Sequence, residues 1–181
     1  MKTKPLMVIG AVAVIGAVAA VFVLALNLVS QQGARPTPGT PAPDFPLTLY
    51  DEYRSDLPQD IKLSDLRGKV VVMNFWASWC IECKKEADAL QAVHEKYKDR
   101  GVVVLGVDYL DTEPPAMAYL QEFGITYANG LDLQQRIAKA YRITGVPETF
   151  FIDEQGIVRE ILIQPLSESQ LTASIDKLLA D

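Results

Sequence analysis

Residues 70–86, VVVMNFWASWCIECKKE, contain the only two cysteines of the chain, at positions 80 and 83. The first six residues of the stretch are apolar apart from Asn74, which predicts a central strand covered on both faces. From residue 82 to 97 apolar side chains recur every three or four residues, the period of an amphipathic helix. The stretch therefore predicts a strand that runs into a helix, with the cysteines in the turn and in the first helical turn.

This position favours reactive cysteines. A helix N-terminus carries partial positive charge and unpaired N–H groups, which stabilise a thiolate relative to the thiol. Cys80 is the outer residue and is predicted to be the nucleophile. Cys83 lies one turn further on, on the apolar stripe, and is predicted to be the buried thiol that resolves a mixed disulfide.

Two other uses of a Cys-x-x-Cys pair fit the sequence less well. A structural zinc ion takes four Cys or His ligands, and the chain has two cysteines and one histidine, His94. A purely structural disulfide would close so short a loop that it would stabilise the fold little. We therefore predict a redox-active pair with no metal and no cofactor, and we expect His94 to face solvent.

The N-terminus predicts a membrane anchor. Residues 6–29 form an apolar run of 24 residues with one polar exception, long enough as a helix to cross a hydrocarbon core of about 30 Å. Lys2 and Lys4 precede the run and the next basic residue is Arg35, so the positive-inside rule places residues 1–5 in the cytoplasm and the rest of the chain outside. We predict a single-pass signal anchor in the cell membrane that is not cleaved, because a cleaved signal peptide has a shorter apolar core.

The composition changes sharply after the apolar run. Residues 30–42 are rich in Pro, Gly, Thr and Ala and predict an extended tether, followed by a folded domain at residues 43–181. All 23 acidic residues lie in that domain, and the whole chain carries a net charge of −6. An acidic domain is poorly suited to bind nucleic acid or anionic lipid, so we predict no nucleic-acid partner.

The apolar patterns predict the element order β-α-β-α-α-β-β-α. An edge strand at 45–50 and a short capped turn at 63–69 come before the cysteine stretch. After it, strands are predicted at 102–107, 149–152 and 157–163, and helices at 113–123, 131–141 and 167–179. A turn with a glycine at 153–156 joins the last two strands as a hairpin. The order predicts an α/β domain with a parallel core sheet and an appended antiparallel hairpin.

Five motifs together resemble one family. They are APDF at 42–45, LSDLRGK at 63–69, NFWASWC at 74–80, KKE at 84–86 and GVPETF at 145–150. From about residue 42 to the end, the chain is similar to the membrane-anchored thioredoxin-like proteins of the TlpA, ResA and CcmG (DsbE) group. The resemblance implies a thioredoxin-like fold, a mixed sheet with flanking helices, preceded by one transmembrane helix. It also implies an extracytoplasmic thiol-disulfide oxidoreductase.

The resemblance assigns substrate-binding roles to a loop and a tryptophan. Pro147 matches the family's cis-proline, whose loop faces the cysteines and pairs with the backbone of a bound substrate, so Val146 and Glu148 are expected to contribute to binding. Glu148 and the sequence VDY at 107–109 resemble CcmG more than ResA. Trp79, beside the first cysteine, is expected to cover the nucleophile and contact the substrate.

The charges near the cysteines predict the direction of the redox potential. Glu86 matches an acidic residue that tunes the cysteine pair in ResA-type proteins, but Ile81-Glu82 departs from the Pro-containing pairs common in the family, so the potential is not implied. Glu82 and Glu86, both expected near a partly exposed turn, oppose a thiolate, whereas Lys84, Lys85 and the helix dipole favour it. The motif has no histidine to stabilise a thiolate strongly. We therefore predict a reductant.

The predicted partners follow from the extracytoplasmic location and from the family resemblance. Disulfides persist outside the cytoplasm, so a reductant there needs electrons from across the membrane, which implies a donor of the CcdA or DsbD type. The best candidate substrate is the CxxCH motif of apocytochrome c before haem attachment, and general disulfide reduction is the alternative.

Two other classes of function stay open. A peroxiredoxin-like peroxidase would need a Pro, a Thr and an Arg around its cysteine, and residues 74–78 do not supply them. A copper carrier would have to combine the cysteines with His94.

Overall fold

The computed structural model describes residues 34–180 and, upstream of them, Ile15, Gly16, Val18, Val21 and Phe22. The chain divides into two units, Met1–Ala34 and Arg35–Asp181. The predicted N-terminal segment 1–5 lies outside the described residues, and so does the predicted span 6–29 apart from those five residues. Within the described part of the chain, no helix combines the length and the apolar character that crossing a bilayer requires.

Residues 34–180 form seven strands and five α-helices. The strands are β1 Pro46–Thr48, β2 Asp60–Lys62, β3 Val70–Trp76, β4 Val102–Tyr109, β5 Ala128–Asp132, β6 Glu148–Ile152 and β7 Val158–Leu162. The helices are α1 Ile81–Lys84, α2 Ala87–Tyr97, α3 Glu113–Glu122, α4 Arg136–Tyr141 and α5 Glu168–Ala180.

The central sheet has the strand order β5-β4-β3-β6-β7. Strand β4 runs parallel to both β3 and β5, whereas β6 runs antiparallel to both β3 and β7. This arrangement confirms the predicted parallel core with an antiparallel hairpin. Strands β1 and β2 pair with each other in a separate two-stranded sheet. The predicted edge strand at 45–50 contains β1, and beyond it Leu49 forms an isolated antiparallel bridge to Gly130 of β5, at the edge of the central sheet.

Both faces of β3 are covered, as its apolar composition predicts. Val72 and Trp76 face a layer built from α2, α3 and α5. Met73 and Phe75 face the opposite layer, built from α4 and the small β1–β2 sheet. Because side chains alternate along a strand, Asn74 lies on the same face as Val72 and Trp76, toward the helices that follow the cysteines.

A close approach between β4 and β5 fixes the end of β3. A Cβ atom at Gly106 would lie 1.8 Å from Asn129 Oδ1, so no larger residue fits there without a shift. Asn129 Oδ1 in turn accepts a hydrogen bond of 2.9 Å from the indole of Trp76, and the Trp76 ring stacks on Tyr119. The last residue of β3 is thereby held in place four residues before Cys80.

Three regions differ from the sequence-based expectations. The helix predicted from residue 82 to 97 is divided, with Lys85 and Glu86 between α1 and α2. Strand β5 was not predicted, and the helix predicted at 131–141 begins only at Arg136. The reason is composition, because Ala128–Asp132 contains a buried Asn and Gly instead of the alternating pattern of a half-buried strand.

The third difference lies at the N-terminal edge of the domain. The Gly39 N–H donates to the Val158 carbonyl at 2.7 Å, and the Ala42 N–H donates to the Gly156 carbonyl at 2.9 Å. The second unit accordingly begins at Arg35. The predicted tether at residues 30–42 therefore overlaps residues 39–42, which bond to the last hairpin.

His94 is also placed differently from the prediction. Its side chain is only 7% exposed, and its ring packs edge-on against Tyr127 at 5.9 Å between centroids. Burial lowers the pKa of the His94 imidazole. The expectation that His94 faces solvent is wrong because the segment leading into β5, which the sequence patterns did not reveal, covers this side of α2.

Candidate active site

The two cysteines lie at the start of α1 and form a disulfide, with Cα atoms 5.3 Å apart. Cys80 immediately precedes the helix, and the Cys83 N–H lies 3.0 Å from its sulfur. Cys80 is 6% exposed and Cys83 1%, so the first cysteine is the more accessible of the two. Because α1 has only four residues, this single directed N–H group, rather than the dipole of a long helix, is the main local support for a thiolate.

A loop between α4 and β6 lies against Cys80. The peptide bond between Val146 and Pro147 is cis, and the Val146 carbonyl oxygen lies 3.5 Å from Cys80 Sγ. Pro147 is buried and Val146 is half-buried. The fold thus brings together the cysteine pair and the loop that were paired in the sequence analysis only by resemblance. Their binding roles stay predictions.

Glu148 follows the cis-proline and is fully buried. One carboxylate oxygen accepts a hydrogen bond from the Thr144 N–H at 3.0 Å, and the other is paired with the guanidinium of Arg35. The same guanidinium donates to the Arg142 carbonyl at 2.7 Å. The Glu148 side chain is therefore occupied within the protein, and its predicted contact with a substrate stays a prediction.

Glu86 lies between α1 and α2 and is fully buried. Its two carboxylate oxygens accept hydrogen bonds from the Asn74 amide at 2.7 Å and from the Leu166 N–H at 2.9 Å. Its own N–H donates to the Cys83 carbonyl. Burial raises the pKa of Glu86 to about 7, although both hydrogen bonds oppose the rise. The expectation that this carboxylate lies at a partly exposed turn is wrong, because Asn74 and Leu166, two residues before α5, bond to it in the interior.

The other charged residues of the motif are at the surface. The Glu82 carboxylate pairs with Lys85 at 2.6 Å, and Lys84 lies 3.7 Å from the carboxylate of Glu122. The two lysines that the sequence analysis counted as favouring a thiolate are thus each offset by a glutamate. Surface ion pairs of this kind contribute little energy, so these four side chains are a weak electrostatic influence on the cysteines.

Comparison with known proteins decides the class of this site. Residues 38–161 match the model of the AhpC/TSA family. The chain belongs to this family. It is 32% identical over 140 residues to the thiol-disulfide oxidoreductase ResA of Bacillus thuringiensis, covering 77% of this chain and 78% of the relative. It is 32% identical over 165 residues to the thiol:disulfide interchange protein DsbE of Allochromatium vinosum, covering 91% of this chain and 87% of the relative.

Solved structures agree with this assignment. A thiol:disulfide interchange protein of the thioredoxin family from Chlorobium tepidum superposes with a TM-score of 0.66 at 27% identity, covering 81% of this chain and 99% of that structure. The fold is thioredoxin-like, as the motifs implied. The chain is a thiol-disulfide oxidoreductase of the ResA and DsbE type, with Cys80 and Cys83 as its cysteine pair.

Exposed apolar side chains surround the cysteine pair of this oxidoreductase. Trp79 is 57% exposed, and its indole N–H donates to the Leu110 carbonyl at 3.2 Å. Ile81 and Leu110 are exposed as well. Exposed apolar groups that cluster at one place mark sites where a protein segment docks. We refer to Trp79, Ile81 and Leu110 as the apolar rim.

A second buried acidic group was not predicted from the sequence. Asp108 is fully buried at the end of β4, where it pairs in register with Trp76 of β3. Burial raises the pKa of Asp108 to about 7, the hydrogen bond from the Tyr50 hydroxyl opposes the rise, and the charge of Asp111 adds to it. Asp111 itself accepts from the Ser78 N–H at 2.7 Å and so holds the turn before Trp79. Parallel neighbouring strands end at one edge of a sheet, a signal that could have placed Asp108 beside the end of β3, the strand that leads to the cysteines.

The described residues contain no group of three or more His, Cys, Asp or Glu side chains arranged to hold a metal ion. His94 lies on α2 and is buried against Tyr127. Its position therefore gives no support to the alternative of a copper carrier.

Proposed function

We propose that this thiol-disulfide oxidoreductase is a membrane-anchored, extracytoplasmic reductant of protein disulfides. The observation that carries the proposal is the position of Cys80, which is more exposed than Cys83 and lies against the carbonyl of Val146, next to the cis-proline. A substrate chain that pairs with this loop would bring its disulfide to the accessible sulfur. Residues 6–29 supply the proposed anchor.

The proposed reaction starts from the reduced pair. The Cys80 thiolate attacks one sulfur of the substrate disulfide, which forms a mixed disulfide and releases the other substrate sulfur as a thiolate. The Cys83 thiolate then attacks Cys80, which releases the second substrate sulfur and forms the Cys80–Cys83 disulfide. Two electrons pass to the substrate, whose two thiolates take up protons from solvent. The buried carboxyl of Glu86, with a pKa of about 7, is suited to accept the Cys83 proton in the second step.

The charges around the pair support a reductant rather than an oxidant. A strong oxidant stabilises its reduced form by stabilising the nucleophilic thiolate. Here the described residues provide one backbone N–H group to the Cys80 sulfur, and both neighbouring lysines are paired with glutamates. The negative charge of ionised Glu86 further disfavours a thiolate nearby. The oxidised pair is therefore comparatively stable, which is the property of a reductant.

The proposed substrate is the CxxCH disulfide of apocytochrome c, with a membrane donor of the CcdA or DsbD type to return electrons to the pair. Similarity to both ResA and DsbE proteins supports this substrate class. General reduction of extracytoplasmic disulfides is the second candidate, and the apolar rim favours it. An open set of apolar side chains such as Trp79 and Ile81 can accommodate many partner segments.

A trapping experiment tests the proposal. In membranes from cells that make cytochrome c, the Cys83→Ser variant of the full-length chain should accumulate a mixed disulfide between Cys80 and its substrate, because attack still occurs and resolution does not. The matched Cys80→Ser variant should trap nothing. Apocytochrome c among the trapped partners supports the first candidate, and a broad set without it supports the second. Trapping on Cys80→Ser alone would reverse the assigned roles.

The same cells test the proposed topology. Protease added to intact cells without an outer barrier should digest residues 43–181, since the positive-inside rule places them outside. Digestion only after lysis would contradict the extracytoplasmic location.

A further inference from the structure

Arg35 fastens both ends of the loop that lies against Cys80. Its guanidinium donates to the Arg142 carbonyl at 2.7 Å, at the start of the loop. It also pairs with the buried carboxylate of Glu148, at the end of the loop. The Thr144 N–H donates to the same carboxylate at 3.0 Å. Residues 142–148 are therefore closed around one ion pair, whose cation comes from more than a hundred residues away in the sequence.

The ion pair is placed to hold the loop that lies against the reacting sulfur. Glu148 directly follows Pro147, and the carbonyl of Val146, on the other side of that proline, lies 3.5 Å from Cys80 Sγ. A buried carboxylate without a cation is costly. Without Arg35, the Glu148 carboxylate would be driven to turn toward solvent, and this change would disturb its bond to Thr144.

We propose that Arg35 is a positioning residue for the cis-proline loop, so that the first residue of the folded unit takes part in binding an extended substrate chain. The inference rests on the proposed function in one respect, the pairing of the substrate backbone with this loop. Arg35 does not contact the sulfurs. Its effect should therefore depend on how much of the loop a substrate uses, and it should be absent for a disulfide too small to reach the loop.

The test compares two disulfides of different size. The full-length chain in detergent micelles is reduced beforehand and mixed, for a single turnover, with increasing concentrations of an oxidised CxxCH peptide or of glutathione disulfide. For Arg35→Gln we expect the half-saturating peptide concentration to rise about tenfold, with the maximum rate changed less than about twofold and the rate with glutathione disulfide unchanged. Arg35→Lys keeps the charge and should recover part of the loss.

Arg159→Gln is the matched control. Arg159 also pairs with a nearly buried carboxylate, that of Asp153, but this pair lies in the last hairpin and not in the loop. The control should lose stability without a change in peptide affinity. Equal effects of the two variants on the peptide, equal effects of Arg35→Gln on both disulfides, or no effect of Arg35→Gln would each overturn the inference.

Amide hydrogen exchange separates this inference from the proposed function. If the wild-type chain exchanges with glutathione disulfide but does not reduce the peptide, the proposed substrate class fails. The exchange rate of the Thr144 amide then still decides the role of Arg35. Faster exchange in Arg35→Gln than in Arg159→Gln supports a fastened loop, and equal exchange in the two variants overturns it.

Discussion

Two regions next to the disulfide each contain a fully buried glutamate, and the groups that bind its carboxylate differ between them. Behind the cysteine helix, Glu86 receives only neutral donors, the Asn74 amide and the Leu166 N–H. Behind the cis-proline loop, Glu148 receives an N–H group and the guanidinium of Arg35. The residue type and the burial are the same, so the cation is the difference.

This difference separates two uses of a buried carboxylate. Without a cation, burial raises the pKa of Glu86 to about 7, so the group changes its protonation state near neutral pH and can exchange a proton with its surroundings. Glu148, by contrast, is paired with the guanidinium of Arg35 and holds a loop in shape through that ion pair. The first region is suited to proton transfer and the second to positioning, although the two carboxylates lie on either side of one cysteine pair.

The largest expected effect comes from removing the cation. Arg35→Leu leaves the buried carboxylate of Glu148 without its cation, and we expect a loss of about 3 kcal/mol in the free energy of unfolding at pH 7. Urea unfolding of the full-length chain in detergent measures it. The double variant Arg35→Leu/Glu148→Leu removes both charges and should recover most of the loss, since paired removal leaves no uncompensated charge. A double variant as unstable as Arg35→Leu would show that the ion pair is not the reason.

The sequence predicted those features of the two regions that depend on local patterns. The strand of residues 70–75, the turn with Cys80 and Cys83, and the hairpin near the end follow from periodicity and turn residues, because neighbours along the chain determine them. The motif GVPETF placed Pro147 beside the cysteines by resemblance. Asn74, the one polar residue of the central strand, was visible as an exception, and the structure shows that it donates to Glu86.

The remaining features depend on contacts between residues far apart in the sequence, which local patterns do not contain. Arg35 lies in a Pro- and Gly-rich stretch that resembles a tether, and only the fold brings it to Glu148. Strand β5 has a Gly at position 130 because the Thr48 carbonyl approaches to 2.5 Å of where a Cβ would be, and this close packing removes the apolar alternation that identifies a strand. The segment leading into β5 also covers His94. Missing the strand therefore led to the wrong exposure for the histidine.

The next effect is a pH dependence specific to Glu86. The pKa of its carboxyl is raised from 4.5 to about 7 in the folded chain, so between these values the folded state binds more protons than the unfolded state. Stability from this group is present below about pH 4.5 and is lost as the pH rises through about 7. The shift, which already includes the effect of the two hydrogen bonds, corresponds to about 3 kcal/mol in all, of which about 2.5 kcal/mol falls between pH 5 and pH 8.

The measurement is the difference in unfolding free energy between Glu86→Gln and wild type across this pH range. Asp108 titrates in the same direction, and taking the difference cancels its contribution. Glu86→Gln should become more stable relative to wild type as the pH rises from 5 to 8, since an amide has no charge to bury. A difference that is constant with pH would mean that Glu86 does not titrate in this range.

The smallest effect concerns the redox potential, where the sequence treated Glu82 and Glu86 as equal opponents of the thiolate. The structure separates them. The Glu82 side chain is half exposed and paired with Lys85, so Glu82→Gln should shift the potential by less than about 10 mV. Glu86→Gln removes a buried charge and should make the potential less negative by about 20 mV, which corresponds to about 1 kcal/mol for a two-electron couple.

The pH dependence of that shift tests its cause. Wild-type Glu86 is mostly protonated at pH 6 and mostly ionised at pH 8, given a pKa of about 7, so an electrostatic effect on the Cys80 thiolate should be smaller at pH 6 than at pH 8. Equilibration of each variant with glutathione at both pH values measures it against wild type at the same pH. A shift in the negative direction would mean that ionised Glu86 stabilises the reduced pair. The main role of Glu86 would then be to accept the proton of Cys83. Glu86 would still differ from Glu148 as a proton-transfer group differs from a positioning group, but it would not oppose the Cys80 thiolate electrostatically.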